Sequence, residues 1–311
     1  MAQKAPGKAH REGITLMQLA DMFPDEDAAR SWFEGLVWPE GRYCPRCGSR
    51  RTHEASHAKS PYRCTECRSY FSVKTGTLAE GSKVPLRKWA FAIYLEATSL
   101  KGISSMKLHR DIGVTQKTAW FMLHRIREAW AKDGNNDSSG PVEIDETYMG
   151  GREGNKHFKD KLRAGRGAVG KTAVAGAKDR ATGHVRAEVI PDTRSTTLQG
   201  FVADHAAPGA TVYTDDASAY KGMPFNHESV RHSVGEYVSD MARTNGIESF
   251  WSMLKRAHKG TFRKISPKHL QRYVDEFCAR HNMRDADTAD QMQRIVADMV
   301  GKRLRYGDLI S

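Results

Sequence analysis

Three acidic residues lie where separate segments of the chain could bring them together around metal ions. Asp145 lies in V-E-I-D-E-T-Y, Asp215 in T-V-Y-T-D-D, and Glu248 in N-G-I-E-S-F-W-S-M-L-K-R. The first two end short strand-like runs, and the third opens a patterned helix. Carboxylates that converge from two strands and a helix can bind a pair of hard cations such as Mg²⁺ or Mn²⁺. Such pairs promote in-line displacement at phosphodiesters.

The helical pattern around Glu248 is strong. Apolar residues recur at i, i+3, i+4 and i+7 from Ile247 to Leu254, which defines one buried face. Glu248 and Lys255 share a row beside that face. Glu248 would bind a metal ion, and Lys255 would contact a phosphate as a point charge. An amphipathic helix with an ordinary surface Glu and Lys is the alternative.

The two aspartates also have a simpler interpretation, because Asp is common in turns at strand ends. Asp216 follows Asp215 directly and is an alternative ligand. Glu143 shares a strand face with Asp145, whereas Glu146 points to the opposite face. The residues alone therefore leave the three-acid site open.

Four of the five cysteines form two C-x-x-C pairs, at Cys44 and Cys47 and at Cys64 and Cys67, with sixteen residues between the pairs. Two such pairs supply four thiolates for a tetrahedral Zn²⁺ site. A four-sulfur site leaves no open position for water, so the single zinc ion would be structural. The fifth cysteine, Cys278, is interpreted as a small buried apolar residue.

The pattern of residues 103–130 predicts a helix-turn-helix, with a turn at residues 113–115 and Thr115 as the N-cap of the second helix. A plain helical hairpin is the alternative. The second helix is expected to direct Gln116, Lys117, His124 and Arg125 outward, and Trp120, Leu123 and Ile126 inward. Residues 255–272 hold seven Lys or Arg and no acid. Residues 152–171 hold seven Lys or Arg and two acids. Together, these three segments supply the predicted DNA-binding residues, which are Gln116, Lys117, Arg125, Arg152, Lys255, Arg256, Lys259, Arg263 and Lys264.

Composition limits the class of protein. The 311 residues carry 49 Lys and Arg against 37 Asp and Glu, a net charge of +12, which favours polyanion partners. Residues 89–95, the longest apolar stretch, are too few to span a bilayer, and the N-terminus lacks an apolar signal-peptide core. We therefore expect a cytoplasmic protein with no membrane partner.

The order of segments predicts a multidomain α+β protein. Three strands, a helix, a strand and two helices follow the polar segment at residues 133–140, and this is the order of the ribonuclease-H-like fold. The predicted regions are a disordered tail (1–13), a helical lead-in with a zinc ribbon (14–80), a helix-turn-helix-like region (81–134), a linker (135–141), a catalytic α/β domain (142–290) and a C-terminal extension (291–311).

These motifs together resemble a known family. V-E-I-D-E-T-Y-M-G-G, T-D-D-A-S-A-Y and N-G-I-E-S-F-W-S-M-L-K-R are similar to segments of ISXO-type transposases of insertion-sequence family 1595. C-P-R-C-G and Y-R-C-T-E-C resemble the N-terminal zinc ribbon of the same proteins, and H-L-Q-R-Y-V-D-E-F-C-A-R-H-N resembles their closing helix. The resemblance runs in order from about residue 14 to residue 290.

The resemblance implies a bacterial DDE transposase with a ribonuclease-H-like, retroviral-integrase-like core. Asp145, Asp215 and Glu248 match the three acids that hold two Mg²⁺ ions, for which Mn²⁺ can substitute, and Lys255 matches the lysine that follows. Some relatives have Asn as the third residue, so Asn245 is the alternative ligand to Glu248.

The implied substrates are double-stranded DNA, namely the terminal inverted repeats and the target, joined by a homo-oligomer that is a dimer or larger and associates with the nucleoid when it acts. The alternatives are a domesticated, catalytically inactive DNA-binding regulator and a metal-dependent nuclease that cuts without joining. A zinc-ribbon scaffold for protein partners is a third.

Overall fold

The computed structural model describes residues 11–131, 138, 140–151, 157–162, 168–215, 217–230 and 244–311. The chain divides into two compact units, one of Met1–Ala131 with Met283–Ser311 and one of Lys132–Asn282. The predicted zinc-ribbon and helix-turn-helix regions thus belong to one unit. Residues 283–290, which the sequence assigned to the catalytic domain, lie in that unit with the C-terminal extension.

The first unit is mainly helical. Four of the five helices described in residues 11–131 begin at a side-chain cap, because Thr15, Asp25, Ser104 and Thr115 each accept a hydrogen bond from a backbone N–H of the first turn. The helices of residues 11–131 are α1 (Leu16–Met22), α2 (Glu26–Val37), α3 (Leu86–Thr98), α4 (Ser105–Ile112) and α5 (Gln116–Ala129).

A small antiparallel sheet lies between α2 and α3 in the sequence. Its strands, in spatial order, are β1 (Thr52–Glu54), β2 (Tyr62–Cys64) and β3 (Tyr70–Phe71). The sequence predicted β2 and β3 but not β1, because T-H-E has no apolar alternation. Tyr62 and Phe71 are buried, and both rings contact Trp38. This aromatic cluster joins the sheet to the end of α2.

The C-terminal segment returns to the first unit as α9 (Thr288–Asp298) and α10 (Tyr306–Ile310). The N–H of Leu78 donates to the carbonyl of Met299 at 3.0 Å. Glu12, which the sequence placed in a disordered tail, accepts a hydrogen bond from the N–H of Thr288 at 3.0 Å. The donor is a backbone N–H of the first turn of α9, which has no acceptor within its own helix.

The second unit contains a five-stranded mixed sheet. Its spatial order is β6-β5-β4-β7-β8, with β4, β5 and β6 antiparallel and β4, β7 and β8 parallel. The strands are β4 (Val142–Met149), β5 (Thr172–Asp179), β6 (Val185–Ile190), β7 (Thr211–Asp215) and β8 (Asn226–Val230). The sequence predicted the first four, but N-H-E-S-V is too polar to show that it is β8.

Helices cover both faces of this sheet. One apolar cluster joins Ile144 and the other residues of its face to α6 (Ser195–His205). A second joins Met149 and Val174 to α7 (Asn245–Ala257) and α8 (Leu270–Asn282). Because strand side chains alternate between faces, Glu143 and Asp145 lie on the α7 side and Glu146 on the α6 side. Within the described ranges, no helix has the length and apolar character that crossing a bilayer requires.

Candidate active site and zinc ribbon

Asp145 and Asp215 lie at the same level on adjacent strands. Strands β4 and β7 are parallel, and Glu143 pairs with Tyr213. Each aspartate follows its paired residue by two positions, so both side chains lie on the same face and at neighbouring positions. Asp215 is the last residue of β7, and its Oδ1 accepts the N–H of Ala217 at 3.2 Å. The register therefore brings together two carboxylates that are 70 residues apart in the sequence.

The helix α7 lies close to the sheet beside Asp145. Gly176 is the cross-strand partner of Asp145 in β5. A Cβ on residue 176 would lie 2.5 Å from Cζ2 of Trp251 and 3.1 Å from Cδ1 of Ile247. The absence of a side chain at this position thus allows α7 to pack against the strand pair that carries Asp145.

Glu248 lies in the first turn of α7. The hydroxyl of the buried Thr244 donates to its Oε1 at 2.9 Å. The side chain is exposed on the sheet-facing end of the helix, and the charge of Glu248 helps to raise the pKa of Asp145. Asn245, the alternative third ligand, is also exposed and begins the same helix.

The electrostatics of this site favour a cation. Burial, and then the negative charges of Glu146, Asp215 and Glu248, raise the pKa of Asp145 to about 7. Burial and the charge of Asp215 also raise the pKa of Glu146, although a hydrogen bond from Tyr220 opposes that shift. Carboxylates that repel one another in a partly buried site are stabilised when a cation binds among them. Oxygen donors of this kind fit Mg²⁺ or Mn²⁺.

Lys255 lies two turns beyond Glu248 and is exposed, as are Arg256, Lys259, Arg263 and Lys264. After α7 the chain makes a π-helical turn at His258–Phe262, and Arg263 then takes a positive φ of 59°. All five predicted basic residues of this segment are therefore on the surface. Arg152 and Asp216 lie outside the described residues.

The predicted helix-turn-helix segment has its expected local geometry. Gly113 ends α4 in the left-handed conformation, with φ of 62°, and Thr115 caps α5. Gln116 and Lys117 are exposed at the start of α5, where a helix N-terminus favours anions. Leu123 and Ile126 are buried, as predicted.

The predicted orientation of His124 and Arg125 is wrong. His124 is fully buried and Arg125 is 8% exposed. The guanidinium of Arg125 donates to the carbonyls of Glu80 and Leu304 and lies over the ring of Phe121. Burial lowers the pKa of Arg125 to about 10. The helical pattern could not show this, because one of the two acceptors comes from the distant C-terminal segment.

An open groove of about 880 Å³ runs beside the start of α5. Lys83, Lys88 and Lys117 contribute to its walls, together with Phe121 and Tyr306. No acidic side chain is among the described residues that line it. The groove is thus positively charged and partly aromatic, which suits a nucleic-acid backbone.

The four cysteines of the two C-x-x-C pairs converge. The Sγ atoms all lie within 4.8 Å of one another, and the Cys44–Cys67 and Cys47–Cys64 pairs are each 3.6 Å apart. Zn–S bonds of about 2.3 Å in a tetrahedron place sulfurs about 3.8 Å apart, so the site fits one Zn²⁺. Among the described residues, no other set of three or more Cys, His, Asp or Glu ligand atoms forms a cluster able to hold a metal ion. Asp145, Asp215 and Glu248 do not form such a set.

Comparison with known proteins identifies the family. Residues 138–282 match the ISXO2-like transposase domain, and residues 24–69 match the transposase zinc-ribbon domain. A protein of Halobacterium salinarum, described as an uncharacterized protein in transposable element ISH50, is 31% identical over 281 residues, which cover 84% of this chain and 92% of the relative. The chain belongs to the ISXO2-like transposase family.

One solved structure also aligns with this transposase chain. It is a chain from the cryo-EM structure of the simian T-cell lymphotropic virus intasome in complex with PP2A regulatory subunit B56 gamma. The alignment covers 61% of the transposase and 65% of that chain, at 16% identity and a TM-score of 0.29. This TM-score is too low to show a shared fold.

Two glutamates near Asp145 make contacts that the sequence did not predict. Glu143 contacts the N-terminus of α7, and Glu146 accepts a hydrogen bond from Tyr220. The sequence contained one signal for them, the concentration of three acids in V-E-I-D-E. The partners of these glutamates could not be predicted, because they lie 104 and 74 residues away.

Proposed function

We propose that this transposase cuts and joins DNA at a site formed by Asp145, Asp215 and Glu248. The three carboxylates would hold two Mg²⁺ ions, or Mn²⁺ in their place. When bound, the ions supply Lewis-acid stabilisation of the entering and leaving oxygens of an in-line displacement. Lys255 would contact a phosphate near the reacting bond. Glu248 is preferred to Asn245 as the third ligand, because a carboxylate balances the charge of divalent ions better than an amide does.

The observation that carries this proposal is the β4–β7 register, which puts Asp145 and Asp215 at neighbouring positions on the α7 face of the sheet. The close contact at Gly176 supports a position of Glu248 near these aspartates, because it packs the helix of Glu248 against β5, beside the strand of Asp145. The raised pKa of Asp145 is what uncompensated acids at a cation site produce. The sheet order, with three antiparallel strands followed by two parallel ones, supports a ribonuclease-H-like, retroviral-integrase-like core.

The DNA would be held by two exposed basic surfaces. The first is the start of α5 with its adjacent groove, where Gln116 and Lys117 lie. The second is the segment after α7, with Arg256, Lys259, Arg263 and Lys264. We infer that the first unit recognises the terminal inverted repeats, and that two or more copies of the chain bring the element ends together. Zinc would stabilise the ribbon and take no part in the reaction.

A strand-transfer assay tests the proposal. Oligonucleotides with the element ends would be incubated with the protein, Mg²⁺ and a plasmid target. Wild type is expected to give joined products, Asp145→Ala is expected to give none, and Asp204→Ala is the matched control, because Asp204 is exposed on α6. Products that are cut but never joined would indicate the nuclease alternative. Equal inactivity of wild type and Asp145→Ala, with the ends still bound, would indicate the regulator.

A further inference from the structure

Two glutamates lie near Asp145 in V-E-I-D-E: Glu143 contacts the helix that carries Glu248, and Glu146 contacts the turn that follows Asp215. We propose that Glu143 and Glu146 are positioning residues: Glu143 holds the helix of Glu248, and Glu146 holds the turn that follows Asp215. This inference rests on the proposed function, since it assigns these glutamates a role in assembling that site. One strand would thus supply a ligand and fix the positions of the other two.

Both carboxylate oxygens of Glu143 accept hydrogen bonds. Its Oε2 accepts the backbone N–H of Ile247 at 2.9 Å, and its Oε1 accepts Nε of Arg180 at 2.9 Å. The residue is 4% exposed. A carboxylate bound to a backbone N–H in the first turn of a helix is stabilised by the helix dipole. Glu143 therefore fixes the N-terminus of α7, one residue before Glu248.

The surroundings of Glu143 require this close approach. A Cβ on Gly246 would lie 2.6 Å from Oε2 of Glu143 and 2.7 Å from Nζ of Lys178. The guanidinium of Arg180 lies over the ring of Tyr213, 3.8 Å from its centroid. Tyr213 is two residues before Asp215 on β7. Arg180, the second partner of Glu143, is thus itself held against β7, while Glu143 contacts α7 directly.

Glu146 makes the corresponding contact on the other face. The hydroxyl of Tyr220 donates to its Oε2 at 2.6 Å, and Tyr220 is completely buried in the cluster beneath α6. Tyr220 ends the 3₁₀ turn Ser218–Tyr220, and the preceding Ala217 donates its N–H to Asp215. The Glu146–Tyr220 bond therefore fixes the turn that holds the carboxylate of Asp215.

Binding of Mn²⁺ to the full-length, zinc-loaded protein, measured by titration calorimetry, tests this proposal. Residues that orient metal ligands typically change metal affinity 10- to 100-fold when they are substituted. Glu143→Ala and Tyr220→Phe are each expected to weaken Mn²⁺ binding by about ten-fold or more. Glu146→Gln is expected to weaken binding less than Tyr220→Phe, because an amide oxygen still accepts the tyrosine hydroxyl and only one nearby negative charge is lost. The matched controls are Glu228→Gln and Tyr273→Phe, an exposed acid and a buried tyrosine of the same unit.

Double substitutions separate positioning from general destabilisation. In an Asp215→Ala background Tyr220→Phe is expected to cause no further loss, whereas Glu143→Ala still does. In a Glu248→Ala background, Glu143→Ala is expected to cause no further loss, whereas Tyr220→Phe still does, because each glutamate acts through one ligand. Losses that add in every background would overturn the proposal, because they would indicate a purely structural role.

Three further outcomes overturn the proposal in distinguishable ways. If Glu146→Gln loses affinity while Tyr220→Phe does not, Glu146 is itself a ligand and its positioning role is wrong. If Asp145→Ala binds Mn²⁺ like wild type, the metal site and the proposed function fail together with the positioning roles. If only Asp145→Ala loses affinity, the metal site stands and both positioning roles are wrong.

Discussion

Gly176 lies directly under the indole of Trp251, so close that a Cβ on residue 176 would fall 2.5 Å from Cζ2 of the ring. Because Gly176 also pairs with Asp145 across the sheet, the packing of α7 and the position of the strand that carries Asp145 depend on the same contact. A substitution there should therefore affect stability and activity together.

Gly176→Ala is expected to lower the free energy of unfolding by about 1–3 kcal/mol, the usual range for overpacking a dense core. It should also reduce strand transfer, since α7 carries Glu248. Urea denaturation and the joining assay measure the two effects. Gly200→Ala is the control, because no atom lies within 4 Å of a Cβ at that position in α6. Normal stability of Gly176→Ala would show that Trp251 can move at no cost.

The zinc ribbon is expected to bind one Zn²⁺ per chain. Cys67→Ser should lose most of the bound zinc and unfold the small sheet, since structural zinc sites supply folding free energy. Cys278→Ser should keep the full complement, because Cys278 lies on α8 in a buried apolar cluster of the second unit. Elemental analysis of the purified proteins measures the zinc content. Equal zinc content in Cys67→Ser and wild type would contradict the assignment.

Stability without magnesium should depend on the ionisation of Asp145. In the folded protein the pKa of the Asp145 carboxyl is raised from 3.8 to about 7. Between pH 3.8 and about pH 7 the folded state therefore binds more protons than the unfolded state. The free energy of unfolding should therefore fall as the pH rises through this window. Asp145→Asn should flatten the fall, because it removes the carboxyl group. Urea denaturation at about pH 4.5 to 8, with zinc retained, measures the free energy of unfolding of both proteins. An equal dependence on pH in wild type and Asp145→Asn would refute the account.

Lys117 and Arg125 should respond differently to alanine. Lys117 is exposed at the start of α5, so Lys117→Ala should weaken DNA binding and reduce the slope of log affinity against log salt by about 1. Arg125 is buried and bonded to backbone carbonyls, so its replacement should mainly destabilise the first unit. Fluorescence anisotropy over a salt series separates the effects. Arg30→Ala, on α2, is the control and should leave the slope unchanged.

Local signals allowed most of the elements to be predicted. Gly113 ends α4 and Thr115 caps α5. Both positions could be predicted, because helix capping depends on residues that are close in the sequence. The four cysteines have a spacing that itself indicates zinc. The apolar repeat from Ile247 to Leu254 predicted α7, because the buried positions of a helix recur about every 3.6 residues.

Long-range contacts could not be predicted in this way. The burial of Arg125 depends on Leu304, which is 179 residues away. Strand β8 has polar residues because it lies at the edge of the sheet. The pairing of Glu143 with Ile247 follows from the register and packing of three elements, and no local pattern encodes it. The sequence thus supplied the candidate acids, and the structure supplied their arrangement.

The most direct test of the central claim is anomalous diffraction from crystals of the protein with Mn²⁺ and a DNA end. The account predicts Mn²⁺ peaks bound directly by oxygens of Asp145, Asp215 and Glu248. A peak bound by Asn245 in place of Glu248 would correct the third ligand. Mn²⁺ bound elsewhere, with none at Asp145 and Asp215, would contradict the account.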